Sequence, residues 1–163
     1  MGLLTKLKTA STIVNRPSTS DYDLVIGSAF PEIDIQWPSG TGDNEANVRW
    51  ATIANAIANS ATETIDLRNL TSAQGNTFLF TEVRLVRIKV DGGALTFAKG
   101  GTNGWTGPGS AWSLKVPAGS IIIPIQCGVD GAMVTTSSDK TIDISNASGA
   151  SATYSIEIVG TLT

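Results

Sequence analysis

The feature that most constrains this chain is strict alternation along short segments. In Tyr154-Ser155-Ile156-Glu157-Ile158 a large apolar residue stands at every second position, with polar residues between. Successive side chains of a strand point to opposite faces, so such a segment forms a strand with one buried and one wetted face. The same period recurs in Trp112-Ser113-Leu114-Lys115-Val116 and in Thr141-Ile142-Asp143-Ile144, separated by Gly, Asn, Ser and Pro clusters that form turns. Further strands are predicted over Tyr22–Ile26, Glu32–Trp37, Glu63–Leu67, Ala94–Ala98 and Ala132–Thr136. Between Asn44 and Ser60, Ala46, Trp50, Ile53 and Ile57 keep helical spacing and Asp43 could cap. The wealth of Asn, Thr and Ala and near lack of Glu, Lys and Leu favour a strand over Val48–Ile57 instead. About ten short strands at this spacing imply an all-β fold, an antiparallel β-sandwich or barrel, with no solenoid or propeller repeat.

Two segments depart from simple alternation. Phe78–Val90 changes phase, with Val83 and Leu85 apolar at odd positions and Val86, Ile88 and Val90 at even ones. A β-bulge or bend near Leu85 and Val86 accounts for the change and leaves Arg84, Arg87 and Lys89 on solvated faces. Ser120-Ile121-Ile122-Ile123-Pro124-Ile125 is apolar on both faces. Pro124 cannot donate to a ladder, so this strand belongs at an edge or a bulge. An exposed isoleucine edge is an aggregation hazard in a monomer, which makes Ile121 and Ile123 candidate assembly contacts.

Length and charge set the frame. At 163 residues there is room for one domain. Only 15% of residues are charged, against a usual quarter, while 41% are hydrophobic. The net charge of −3 and pI near 4.8 exclude a domain-wide electrostatic footprint for nucleic acid or anionic lipid. Lys6, Lys8 and Arg16 are the only charged residues before Asp21. They mark residues 1–20 as an extended basic arm ahead of a single domain over 21–163, either a frayed solvated terminus or an arm that docks on a neighbouring subunit. No segment is long and apolar enough for a membrane span, and Lys6, Lys8, Thr9 and Ser11 interrupt any signal-peptide core. The Met1-Gly2 start falls short of a myristoylation signal because Lys6 stands where Ser or Thr is required. The sequons at Asn69 and Asn146 read as chance matches.

Few residues could carry chemistry. Histidine is absent, which removes His-based triads and most transition-metal sites, and the single Cys127 allows neither an intrachain disulfide nor a zinc cluster. There is no G-x-S-x-G or Walker loop. Cys127 follows an apolar strand and reads as an inert buried thiol. Glu32/Asp34 and Asp21/Asp23 could pair as glycosidase carboxylates, though alternate acids on a surface strand explain them better. Asp43, Glu45 and Asn47 have calcium-loop spacing, but Val48 occupies the place of the required glycine. Gly100-Gly101-Thr102-Asn103-Gly104-Trp105 could cradle an anion, or simply form a flexible loop. Trp112 shares parity with Leu114 and Val116 and points to the core, leaving Trp105 as a candidate glycan contact. No catalytic residue, metal ligand or cofactor is predicted.

One resemblance covers roughly residues 48 to 163. Ser60-Ala61-Thr62-Glu63-Thr64-Ile65-Asp66-Leu67 followed by Gly75-Asn76-Thr77-Phe78-Leu79-Phe80-Thr81-Glu82-Val83 resembles the opening strands of small β-rich virion structural proteins of tailed bacteriophages. Gly104-Trp105-Thr106-Gly107-Pro108 is similar to that family's loop, Val116-Pro117-Ala118-Gly119-Ser120-Ile121-Ile122-Ile123 to its turn into a central strand, and Ala152 to Thr161 to its closing strand. Residues 1–47 are unmatched. The resemblance implies a jelly-roll-like sandwich that coats or projects from a capsid as a decoration or head-fibre protein. It would be made in the host cytoplasm and carried on the virion, with the major capsid protein or other virion proteins as partners and a homo-oligomer, a trimer foremost, as its state. A carbohydrate- or receptor-binding module on the virion is the alternative. The family has no catalytic motif, so no functional residue transfers.

Overall fold

A computed structural model describes residues 5–9, 33–43, 45–71, 75–126 and 131–162, and every regular element in them is a strand. The first are β1 (Thr5–Thr9), β2 (Ile33–Trp37), β3 (Val48–Ile57) and β4 (Thr62–Asp66). The short pair β5 (Leu70–Thr71) and β6 (Thr77–Phe78) precedes the long β7 (Phe80–Asp91), then β8 (Leu95–Lys99) and β9 (Ser113–Val116). β10 (Ile121–Gln126), β11 (Ala132–Met133), β12 (Thr141–Asn146) and β13 (Ala152–Leu162) complete the described chain. One sheet has the order β10-β7-β13-β3, with β11 also on β7, and a second has the order β4-β12-β8-β9. All pairings between these strands are antiparallel.

The two sheets face each other across one core. Alternation on β13 sends Ala152, Tyr154, Ile156 and Ile158 inward, beside Val86, Ile88 and Val90 of β7 and Val48 and Trp50 of β3. Ile65, Leu95, Phe97, Val116, Ile142 and Ile144 meet them from the second sheet. Each side chain of this size contributes about 1.5–3 kcal/mol on burial, so hydrophobic packing between sheets is the main source of stability. Phe97 and Tyr154 cross the gap edge to face, with ring centroids 6.0 Å apart.

Val48–Ile57 is a strand, as composition favours over helical spacing, because pairing with β13 satisfies its backbone. It carries a bulge: Thr52 faces Ile156 and Asn55 faces Tyr154, so Ile53 and Ala54 together stand opposite Ser155. Ala54 sits in the left-handed region at φ 55. β10 is an edge strand whose register with β7 shifts between Ile122 and Ile125, the placement Pro124 demands. In β7 the phase change is a register shift in which Val83 faces Gly160 and Leu85 faces Val159, so Arg84 is the extra residue, just N-terminal to the expected point. Gly160 is required there, since an added Cβ would collide with the Glu82 carbonyl oxygen.

At the level of strands, sequence reading and structure differ as follows. β5 and β6 are not anticipated, being too short to show a period. The strand expected over Ala132–Thr136 stops at Met133, beyond which the Thr135 hydroxyl accepts the amide of Asp139 at 3.0 Å in a turn. Within the expected arm, Thr5–Thr9 pairs with Ile33–Trp37, placing Lys6 opposite Gln36 and Lys8 opposite Asp34. That pairing ties the arm to residues across the boundary drawn near residue 20. The strand expected at Tyr22–Ile26, and Arg16, lie outside the described residues.

Burial pushes the Tyr154 phenol up to about 12, with the Asn55 amide opposing and the Glu63 carboxylate adding to the rise. The folded value stands above the ordinary one near 10, so the stability this group contributes is complete below pH 10 and is lost as pH climbs towards 12. Of the two tyrosines in the chain, ultraviolet titration of the native protein should show one phenol ionising near 12. In strong denaturant both should ionise near 10.

Candidate interaction face

The outer face of the β10-β7-β13-β3 sheet divides into a covered half and an open half. On the covered half Trp37, Ala46, Leu85 and Val159 form a second small core, on the side of the sheet away from the first. Leu85 points there because the bulge at Arg84 reverses the facing of the chain. Residues 38–43 and 45–46 fold over this cluster: the Ala46 amide donates to Pro38 O at 2.9 Å and the Asn47 amide to Gly160 O at 3.1 Å. The Asn47 side chain then extends the β3–β13 ladder, donating to Leu162 O at 3.1 Å and accepting the Leu162 amide at 2.8 Å.

Arg84 joins these parts. It is fully buried, correcting the expectation of a solvated side chain. Its Nε donates to Glu45 O at 3.1 Å, its Nη2 donates to Gly42 O at 3.0 Å, and Nη2 lies 2.8 Å from Glu82 Oε2. A buried guanidinium is tolerable only when paired and hydrogen-bonded. Room for it depends on Gly131, where an added Cβ would stand 2.6 Å from Arg84 Nη1. A sequence signal was present: Arg84 sits inside the phase change, where a bulge can turn a charged residue inward.

The same loop disposes of the calcium spacing. The Glu45 carboxylate accepts the Gly42 amide at 2.8 Å, Asn47 is held by Leu162, and Asp43 is exposed. Among the described residues no three His, Cys, Asp or Glu groups could hold a metal ion.

The structure also overturns the glycan contact. Trp105 has no exposed surface and belongs to the main core. Its amide donates to Thr141 O at 2.8 Å, and the neighbouring Thr106 amide and hydroxyl both bond the Asp139 carboxylate, drawing the loop onto β12. Gly107 lies against the indole so closely that a Cβ would collide with it. A sugar-stacking platform needs an open ring face, and none remains. Trp112 is half-buried and donates from Nε1 to Trp105 O at 2.7 Å, its ring edge-on to Trp105. Three of the Gly100–Trp105 amides are already committed and not open to an anion: Gly100 N and Trp105 N bond Thr141 O at 3.0 and 2.8 Å, and Gly101 N bonds Asp143 Oδ2 at 2.8 Å. The loop read as flexible is stitched to β12.

Other candidates are placed less fully. Ile121 and Ile123 fall on the edge strand β10, with Ile121 opposite Lys89. Cys127, Asp21, Asp23 and Glu32 lie outside the described residues. Asn146 is buried, donating to Ile57 O and Ala150 O, so its sequon is inaccessible.

On the open half, Glu157 of β13 is flanked by Arg49 of β3 and Arg87 of β7. Arg49 Nε pairs with one carboxylate oxygen, and Arg87 Nη2 lies 2.5 Å from the other. Lys89 pairs with Asp91 at 2.7 Å. Beside them Ile53, at 81% exposure, borders a shallow groove of about 360 Å³. Comparison with protein-family models and with curated proteins finds no match.

Arg84→Lys keeps the charge but loses the planar fork, leaving one of the two loop carbonyls without its guanidinium donor. A loss of about 1–3 kcal/mol is expected in urea unfolding. Arg84→Ala should lose more, about 2–4 kcal/mol, because both loop carbonyls lose their donor and the buried side chain leaves a cavity.

Proposed function

We propose that this chain is a non-enzymatic virion structural protein of a tailed bacteriophage, a decoration protein that binds the assembled shell and stabilises it. The observation that carries this reading is the strand order. The chain lays β3, β7, β10 and β13 into one sheet and β4, β8, β9 and β12 into the other, as β3-β13-β7-β10 against β4-β12-β8-β9. That interleaving supports reading the sandwich as jelly-roll-like, an architecture found in viral capsid and lectin domains. A fold hosts many functions, and two further features support the capsid reading over the lectin one: the resemblance of residues 48–163 to phage virion proteins, and the burial of Trp105.

Such a protein acts through contact area. Binding the assembled lattice but not free capsid subunits stabilises the shell by linkage, about 2.7 kcal/mol per site at a hundredfold excess over the dissociation constant. The major capsid protein or another virion protein is the partner. Closed symmetry favours a homo-oligomer, a trimer at local threefold positions foremost.

Purified protein mixed with undecorated capsids of its own phage should bind saturably, at a fixed copy number per shell, and raise the temperature at which the shells rupture. Absence of capsid binding, with the protein recovered in tails or in the cytosol, would overturn the proposal.

A further inference from the structure

We propose that the open half of this face docks an acidic peptide segment of a partner protein, its carboxylate held by Arg49 and Arg87 and an adjacent apolar side chain packed on Ile53. The proposal rests on the reading of this chain as an assembly component and supplies the chemistry of its contact.

The charge arrangement is the first ground. Arg87 stands directly opposite Glu157 in the β7–β13 register, and Arg49 reaches the same carboxylate from β3. One carboxylate therefore serves two guanidiniums, while Lys89 is already answered by Asp91. Each guanidinium carries five N–H donors, and each commits a single nitrogen to Glu157, leaving Arg49 both Nη groups and Arg87 its Nε and Nη1. Both side chains are about half exposed, at 52% and 47%, so these donors reach the solvent. In a chain of net charge −3, this local surplus of positive charge is complementary to an incoming carboxylate.

The bulge in β3 is the second ground. Ile53 is the most exposed large apolar residue among those described. It is held outward by the bulge, where Ala54 takes φ 55 and its amide donates to Ser155 Oγ at 3.1 Å. A non-glycine residue in that region costs about 1 kcal/mol. Bulges re-aim side chains, and this one aims an isoleucine beside the arginine pair. A ligand that satisfies both features carries a carboxylate next to an apolar group, as a Glu- or Asp-containing peptide with Leu or Phe beside the acid does. A polyphosphate or nucleic acid could meet the same arginines but would leave Ile53 uncovered.

The test titrates the full chain with a synthetic peptide of two glutamates flanked by leucines and with its glutamine counterpart, observed by NMR at the arginine side chains and the Ile53 methyls. The glutamate peptide should shift the Arg49, Arg87 and Ile53 signals. The glutamine peptide should bind about tenfold more weakly, as should the glutamate peptide to Arg49→Gln/Arg87→Gln and, separately, to Ile53→Ser, whose exposed site leaves the fold intact. Equal binding of the two peptides, no binding of either, or stronger shifts with polyphosphate would overturn the proposal. Undecorated capsids separate this outcome from the virion reading. If wild type and Ile53→Ser bind shells alike and the peptide does not bind, the docking site falls and the virion reading stands. If the peptide binds as described and shells do not, the virion reading falls and the site stands.

Discussion

A guanidinium with no exposed surface sits where β7 carries one residue more than its neighbour, and the outer face of the sheet is organised around it. Removing an arginine from water costs several kcal/mol unless its donors are met, and here two loop carbonyls and the Glu82 carboxylate meet them. The loop that supplies the carbonyls is thereby drawn across Leu85 and Val159, which the same bulge has turned outward. Trp37 and Ala46 complete the cover. Gly131 and Gly160 make room, one for the guanidinium and one for the close approach of β13 to Glu82 O. A single inserted residue thus decides which half of the sheet is covered and which is left open.

The open half has the opposite character. Glu157 draws Arg49 and Arg87 together without exhausting either, and a second bulge, in β3, stands Ile53 out beside them. Both irregularities fall on the sheet that also carries the edge strand β10, while the described pairings of the β4-β12-β8-β9 sheet show no register shift. Bulges re-aim side chains and gather at sheet edges and beside functional sites, and here they fall on one sheet alone among the described pairings. On the proposed reading of this chain as a capsid decoration protein, the features that matter are such surfaces rather than a cleft.

Much of the fold was legible because alternation over five or more residues is a strong signal. β12 and β13 follow from it, and β3 has the bounds that composition suggested. The edge position of β10 follows from one proline. Facing, however, is a running inference along a strand, and an inserted residue reverses everything beyond it. The bulge in β7 was visible as a phase change, yet which residue was inserted was not, so Arg84 was assigned to solvent when it is the one turned in. Trp105 failed for a different reason. Its loop looks open in sequence because the group that closes it, the carbonyl of Thr141, is a backbone atom on a strand many residues away. The Arg49–Glu157–Arg87 cluster needed three strands to be in register before it existed at all.

The dependence of the covered half on Arg84 is best tested by amide hydrogen exchange, residue by residue, in the wild type and in Arg84→Lys. The amides of Ala46 and Asn47, which bond Pro38 and Gly160 in the loop over the small core, should lose most of their protection in the variant. Those of Ile144 and Ile156 in the main core should keep theirs relative to global stability. Uniform loss across all four, or unchanged protection at Ala46 and Asn47, would show that the loop is held by something other than the buried guanidinium.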